Sequence, residues 1–274
     1  MKKILLFDID ATITPPRQPI NKEMTDVMSK LKIPFALVAG SHMGLLKDQF
    51  FIPFYENGFR GIFDAFISNG NTRYKCEYEK KMKIEQVFIF DLKKHLGEKN
   101  YEELIGILKE TLRLKRFMMP SNITVLPEKI TDRVSMINFI PMGRADSEGP
   151  KQQEDRRRFV EFDKDTNYRR KVIKHLEGKL RRIFREKKLR ILLGGQTSFD
   201  IVIDGYDKTY PLYTLKKEGW EKIIFIGDAL YPGGNDYVIQ EYINNWKDGE
   251  CPYETIKTEG WRNTIEILKN IKAF

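Results

Sequence analysis

The run Asp8-Ile9-Asp10-Ala11-Thr12-Ile13-Thr14 sets two carboxylates two residues apart and follows them with two hydroxyls. It closes an apolar stretch, Ile4-Leu5-Leu6-Phe7, that reads as a buried strand. Residues two apart on a strand share one face. Where the chain leaves the strand, the first acid can project into a site while the second turns beside it. A lone acid at a strand end is ordinarily a cap or turn residue. Acids gathered around a cation can do more, because a carboxylate is an established phosphoryl acceptor. Two anions approach closely in a low-dielectric cleft only with positive charge between them. Carboxylates of this kind suit Mg2+, a hard ion that takes octahedral oxygen ligands and retains waters. Phosphoryl transfer is chiefly positioning and neutralisation of charge spread over the phosphoryl oxygens, so these residue types suit it.

Such residues need a scaffold, and the pattern supplies one. Residues 3–9, 35–40 and 65–70 read as short buried strands, with a helical pattern over 21–30 between the first two. Strands alternating with amphipathic helices predict a parallel α/β sheet, whose ligands collect at the carboxyl ends of the strands. Asp8, Asp10, Ser41 and Asn69 fall there. The middle of the chain has another texture: helical patterns over 85–96 and 100–116, then strand-like segments at 121–126, 133–140, 189–194 and 198–203. That grouping predicts an inserted α+β domain over 84–204, with the core formed by 1–83 and 205–274. Residues 147–153 are expected to form a mobile loop. The α/β rhythm returns with a helix ending near residue 218 and a strand over 222–228.

The motifs resemble those of a known superfamily. The DxDxTxT run is similar to the first motif of the haloacid dehalogenase superfamily, the aspartate-nucleophile phosphotransferases. The resemblance implies a Rossmann-like core with a cap. It also implies that Asp8 attacks phosphorus, that Asp10 shuttles the proton, and that Ser41 and Lys208 hold the transferring group. Asp8, Asp10 and Asp228 would bind Mg2+, with Asn235 and Asp236 behind them. Within that superfamily, Thr14-Pro15-Pro16-Arg17-Gln18-Pro19-Ile20, Gly194-Gly195-Gln196-Thr197-Ser198-Phe199-Asp200, Asp204-Gly205-Tyr206-Asp207-Lys208 and Pro232-Gly233-Gly234-Asn235-Asp236 resemble eukaryotic-type phosphomannomutases. That resemblance implies mutase activity on mannose phosphates, and on glucose phosphates too, with a hexose 1,6-bisphosphate as activator. It assigns Arg17, Arg133, Arg144, Arg156, Ser198 and Asp200 to substrate, and suggests a homodimer through the cap. The choice among Arg156, Arg157 and Arg158 stays open. A sugar-phosphate phosphatase on the same scaffold is the alternative. Ala11 stands where the family usually has glycine, which is tolerable if φ stays negative.

Composition bounds the remaining classes. The 274 residues are 41% hydrophobic, with 18 Phe and 12 Tyr, which argues for a folded globular protein. No apolar run is long enough to span a bilayer, and two distant cysteines suggest reduced thiols in the cytoplasm. Residues 151–190 hold sixteen Lys/Arg against seven Asp/Glu, an excess equal to the net charge of +9. Tyr168, Val172, Leu176 and Leu180 recur at helical spacing within that stretch. The basic residues therefore read as the solvated face of a packed helix, and neither nucleic acid nor a membrane is expected as a partner.

Overall fold

The structure, a computed structural model, describes residues 2–144 and 149–274. Eleven strands are described, labelled in chain order. The first five are β1 (Lys3–Asp8), β2 (Phe35–Val38), β3 (Gly61–Ile67), β4 (Thr72–Tyr78) and β5 (Met82–Ile89). Next come β6 (Glu128–Asp132), β7 (Ile137–Arg144), β8 (Leu189–Gly194) and β9 (Ser198–Ile203), and last β10 (Lys222–Gly227) and β11 (Tyr253–Lys257). The chain divides into two compact units, Met1–Ile89 with Gly205–Phe274, and Phe90–Asp204.

The first unit carries a seven-stranded sheet in the order β11-β10-β1-β2-β3-β4-β5. Its first five members run parallel, and β4 and β5 are antiparallel additions at one edge. The apolar runs of β1, β2 and β10 are buried on both faces, as parallel strands between helices must be. Leu5, Phe7, Leu37 and Ile226 face one core with Met24, Met28, Ile265 and Leu268. Leu6, Ala36, Val38 and Phe225 face the other with Leu212, Leu215, Val238 and Ile239. The helix Lys22–Met28 starts where Asn21 Oδ1 accepts from Met24 N at 2.9 Å, a side-chain cap. This is the expected mixed α/β fold with a mostly parallel central sheet.

The second unit has an antiparallel sheet in the order β6-β7-β9-β8. Its helices include Glu98–Arg113, Pro150–Thr166 and Tyr168–Ile183. Tyr168, Val172, Leu176 and Leu180 are buried, while Arg170, Lys171, Lys174, Arg181 and Arg182 are exposed, so the basic stretch is a solvated helix face. No helix among the described residues is long and apolar enough to cross a membrane.

Several local expectations differ from the structure. Residues 85–96 are not one helix: β5 runs to Ile89 and a short helix follows at Leu92–Leu96. Helix-forming Glu85 and Gln86 are outweighed there by the hairpin register with β4. The β4 strand itself has no counterpart in the sequence reading. Residues 121–126 form a turn followed by chain without regular structure, and the strand expected at 133–140 begins at Ile137, after a bend in which Val134 has φ 64°. Within the expected loop 147–153, residues 147 and 148 lie outside the described residues, and Pro150 already opens a helix. Proline suits that first turn because its missing N–H would be unpaired there anyway.

Candidate active site

In the first unit, the acids sit at the carboxyl ends of adjacent parallel strands. Asp8 ends β1, Asp228 follows β10, and the β1–β10 register brings them side by side. Asp236 enters from the loop beyond. Its approach depends on Gly227, where a Cβ would lie 2.6 Å from Asp236 Oδ2, so only glycine fits. Lys208 Nζ lies 2.8 Å from Asp8 Oδ1 and 2.6 Å from Asp236 Oδ1. Lysine and both acids are nearly or fully buried. Asp228 is partly buried, and carboxylate oxygens of Asp8, Asp228 and Asp236 lie within 4.8 Å of one another.

Three carboxylates therefore face one ammonium. Burial pushes Asp8 up to about 8; Lys208 opposes that, while Asp236 and Asp228 add to it. Burial also raises Asp228, again with Asp236 contributing. Burial works against the charge of Lys208, but Asp236 and Asp8 outweigh it and raise its pKa. The cluster is short of positive charge, and its donors are hard oxygens. That combination fits a divalent cation of the Mg2+ type. Both oxygens of Asp236 are occupied, Oδ1 by Lys208 and Oδ2 by Ala229 N at 3.2 Å. Asp8 and Asp228 are thus the better direct ligands, and Asp236 supports the lysine. Asn235 is exposed on the same loop.

The side chain of Asp10 is not part of that group. Its Oδ1 accepts from Arg17 N at 2.6 Å and from Gln49 Nε2 at 3.0 Å. Ala11 has φ 59°, so the condition under which its methyl group would be tolerated without strain is not met. Ser41 lies just beyond β2, partly buried, and its carbonyl accepts from Ser68 N at 2.9 Å. Arg17 is exposed on the loop after the acidic run.

The second unit gathers a separate set. Arg133 Nη2 and Arg144 Nη2 donate to one acceptor, Asn138 Oδ1, at 3.3 and 3.1 Å. The Asn138 amide in turn donates to Asp200 Oδ1 at 2.6 Å. Ser198 and Asp200 are buried on β9. Burial lowers the pKa of Arg133; Asp200 counters this and Arg144 reinforces it. Arg133 Nε is buried with no hydrogen-bond partner among the described residues. Two converging guanidiniums with a spare donor can take an anion of phosphate type. The sequence assigns Asn138 no role, although it stands midway in the Arg133–Arg144 segment that resembles the family. On the helix Pro150–Thr166, Arg157 pairs with Glu154 and Glu161, and Arg158 with Glu154 and the Asn122 carbonyl. Arg156, the residue before them, is partly buried.

The eukaryotic phosphomannomutase family profile matches residues 21–257. The chain is 32% identical over 241 residues to the phosphomannomutase of Schizosaccharomyces pombe, covering 87% of this chain and 85% of that protein. It is 34% identical over 242 residues to the phosphomannomutase of Spinacia oleracea, covering 86% and 85%. Among solved structures, it shares its fold with an N-terminally truncated, IMP-bound IMP-nucleotidase of Plasmodium falciparum. That match has a TM-score of 0.63 and 15% identity, over 99% of this chain and 68% of the other. With the profile spanning most of the chain and relatives above 30% identity along most of their length, this chain belongs to the eukaryotic phosphomannomutase family.

Proposed function

We propose that the protein is a phosphomannomutase, interconverting mannose 6-phosphate and mannose 1-phosphate through an aspartyl phosphate on Asp8 and a hexose 1,6-bisphosphate. One observation carries the reading: a buried carboxylate, Asp8, held on Lys208 beside Asp228 and Asp236, in a chain that also builds a separate two-arginine anion site. A phosphatase needs one phosphate site; a mutase must hold a bisphosphate by either end.

In the reaction proposed, an Asp8 oxygen attacks phosphorus of the bisphosphate and the bond from phosphorus to the sugar oxygen breaks. The departing oxygen takes the proton of the Asp10 carboxyl group. In the second half, a hydroxyl of the monophosphate gives its proton to the Asp10 carboxylate. Its oxygen attacks phosphorus, and the bond to Asp8 breaks. Lys208 offsets charge on Asp8 throughout, and the Ser41 hydroxyl donates to the phosphoryl oxygens. Asp8, Asp228 and the carbonyl of Asp10 would hold Mg2+, backed by Asp236 and Asn235, and the ion would neutralise phosphoryl charge. The phosphate that is not reacting is assigned to Arg133 and Arg144, helped by Asn138, Ser198 and Asp200, with Arg17 and Arg156 as further contacts. The unit Phe90–Asp204 is then the cap, and the resemblance makes it the proposed surface of a homodimer.

The test is to incubate the protein with mannose 1-phosphate, Mg2+ and a hexose 1,6-bisphosphate. Mannose 6-phosphate is expected to form faster than inorganic phosphate; the reverse order would favour a phosphatase. Running glucose 1-phosphate in parallel measures the sugar preference.

A further inference from the structure

We infer that Gln49 is a positioning residue for the proton-transfer acid Asp10. The inference rests on the aspartyl-phosphate reading above and goes beyond it. Gln49 is buried, and its Nε2 donates to Asp10 Oδ1 at 3.0 Å. It lies within the π-helical turn Lys47–Phe51, between the helices Met43–Leu46 and Ile52–Glu56. Such turns are uncommon, and single ones inside helices collect at functional sites. Here the turn lets three consecutive residues, Gln49, Phe50 and Phe51, all be buried. Phe50 and Phe51 fill the core, so the glutamine between them and the rest of the helix has its position fixed by packing.

The backbone around Gln49 ties it to the same loop that serves Asp10. Ile20 N donates to the Gln49 carbonyl at 3.0 Å, and Arg17 N, three residues earlier, donates to Asp10 Oδ1 at 2.6 Å. Arg17 N and Gln49 Nε2 thus donate to the same oxygen of Asp10. The geometry assigns Oδ1 to anchoring and Oδ2 to carrying the proton. An acid anchored at one oxygen loses rotational freedom about its carboxyl bond, which is what a proton donor aimed at a departing alkoxide requires. A purely structural role for Gln49 would be met by any buried side chain of its size. A buried amide with its donor spent on a catalytic carboxylate is costlier than a leucine unless that bond is used.

Comparing leaving groups tests this. A hexose alkoxide must be protonated as it departs, whereas 4-nitrophenolate leaves without help. The Gln49→Leu variant is expected to lower kcat with a hexose 1,6-bisphosphate as phosphoryl donor by about tenfold to a hundredfold, with KM little changed. With 4-nitrophenyl phosphate the loss is expected to be far smaller in the initial burst of 4-nitrophenolate, which reports formation of the aspartyl phosphate alone and not the later proton-dependent release of phosphate from Asp8. Gln49→Glu keeps the side chain's size and replaces the donor by a second carboxyl group; it should show the same selective loss, and it carries the test should Gln49→Leu fail to fold. Equal losses with the two donors would mean a structural role and overturn the inference, as would full activity in either folded variant. The comparison is independent of the mutase assignment. Wild-type protein that released only phosphate from mannose 1-phosphate would sink the mutase reading, yet leave the leaving-group contrast readable, because both reactions pass through the same attack by Asp8.

Discussion

Ala11 lies between the two acids of the first motif with φ at 59°, in the left-handed region that suits glycine. For an L residue other than glycine, that conformation costs about 1 kcal/mol or more, because Cβ crowds the following carbonyl. The turn is nonetheless imposed from both sides. Ile9 O accepts from Thr12 N, Ile13 N and Thr14 N, and Thr264 Oγ1 donates to the Thr12 carbonyl at 2.7 Å. Ala11→Gly is therefore expected to stabilise the protein by about 1 kcal/mol, seen as a thermal midpoint a few degrees higher. A lowered midpoint would show that the methyl group contributes packing that outweighs the strain. Lys208 presents the opposite case. It is the cation between two buried acids, and removing it deprives both of their positive partner. Lys208→Met should cost about 3–5 kcal/mol, the range for breaking a buried ion pair from one side. Denaturant unfolding in EDTA measures it, and a cost near zero would mean that the acids are neutral there.

At the scale of elements, the legible part of the fold was the part set by local pattern. The runs around β1, β2 and β10 are continuous apolar stretches ending in polar residues, so their positions and the polar residues at their ends could be read directly. The β4–β5 hairpin was missed, although Arg73, Lys75 and Glu77 alternate with Tyr74, Cys76 and Tyr78 in the period-two pattern of a half-buried strand. Its pairing to β3 buries Cys76 and Tyr78. Gln49 and Asn138 were hidden in the sequence. Each acts through a partner distant in sequence, Asp10 for the first and Asp200 for the second, and no spacing rule reports that. The sign of φ at Ala11 stayed open in the sequence because it depends on tertiary contacts. Asn138 can be tested on its own sheet. Its Oδ1 is shared by two guanidiniums that otherwise repel, and its amide ties them to Asp200. Asn138→Leu should raise KM for mannose 1-phosphate about tenfold and leave kcat nearly unchanged, the pattern of lost uniform binding. A selective fall in kcat would move Asn138 into the chemistry.

At the scale of the whole molecule, charge is sorted between the two compact units. The acidic cluster belongs to Met1–Ile89 with Gly205–Phe274, and the basic helix Tyr168–Ile183 belongs to Phe90–Asp204. The acidic cluster makes stability depend on pH and on metal together. Without a metal, Asp8 is raised by burial from 3.8 to about 8. Below pH 3.8 the folded and unfolded chains both keep that proton, so the group contributes nothing. As pH rises from about 4 toward 8, the unfolded chain releases the proton while the folded one retains it. The unfolded state is then favoured, and the penalty is complete above pH 8. Mg2+ bound to Asp8 and Asp228 would supply the missing positive charge, let Asp8 ionise in the folded protein and remove the penalty. Metal binding should release protons for the same reason. Thermal unfolding in EDTA and in Mg2+ at pH 5, 6.5 and 8 provides the measurement, and contributions common to the two conditions cancel in the difference. The stabilisation by Mg2+ is expected to grow with pH across this range and to vanish in Asp228→Asn. Stabilisation that stays constant from pH 5 to pH 8 would mean that Asp8 is already ionised without metal, with Lys208 alone balancing the cluster.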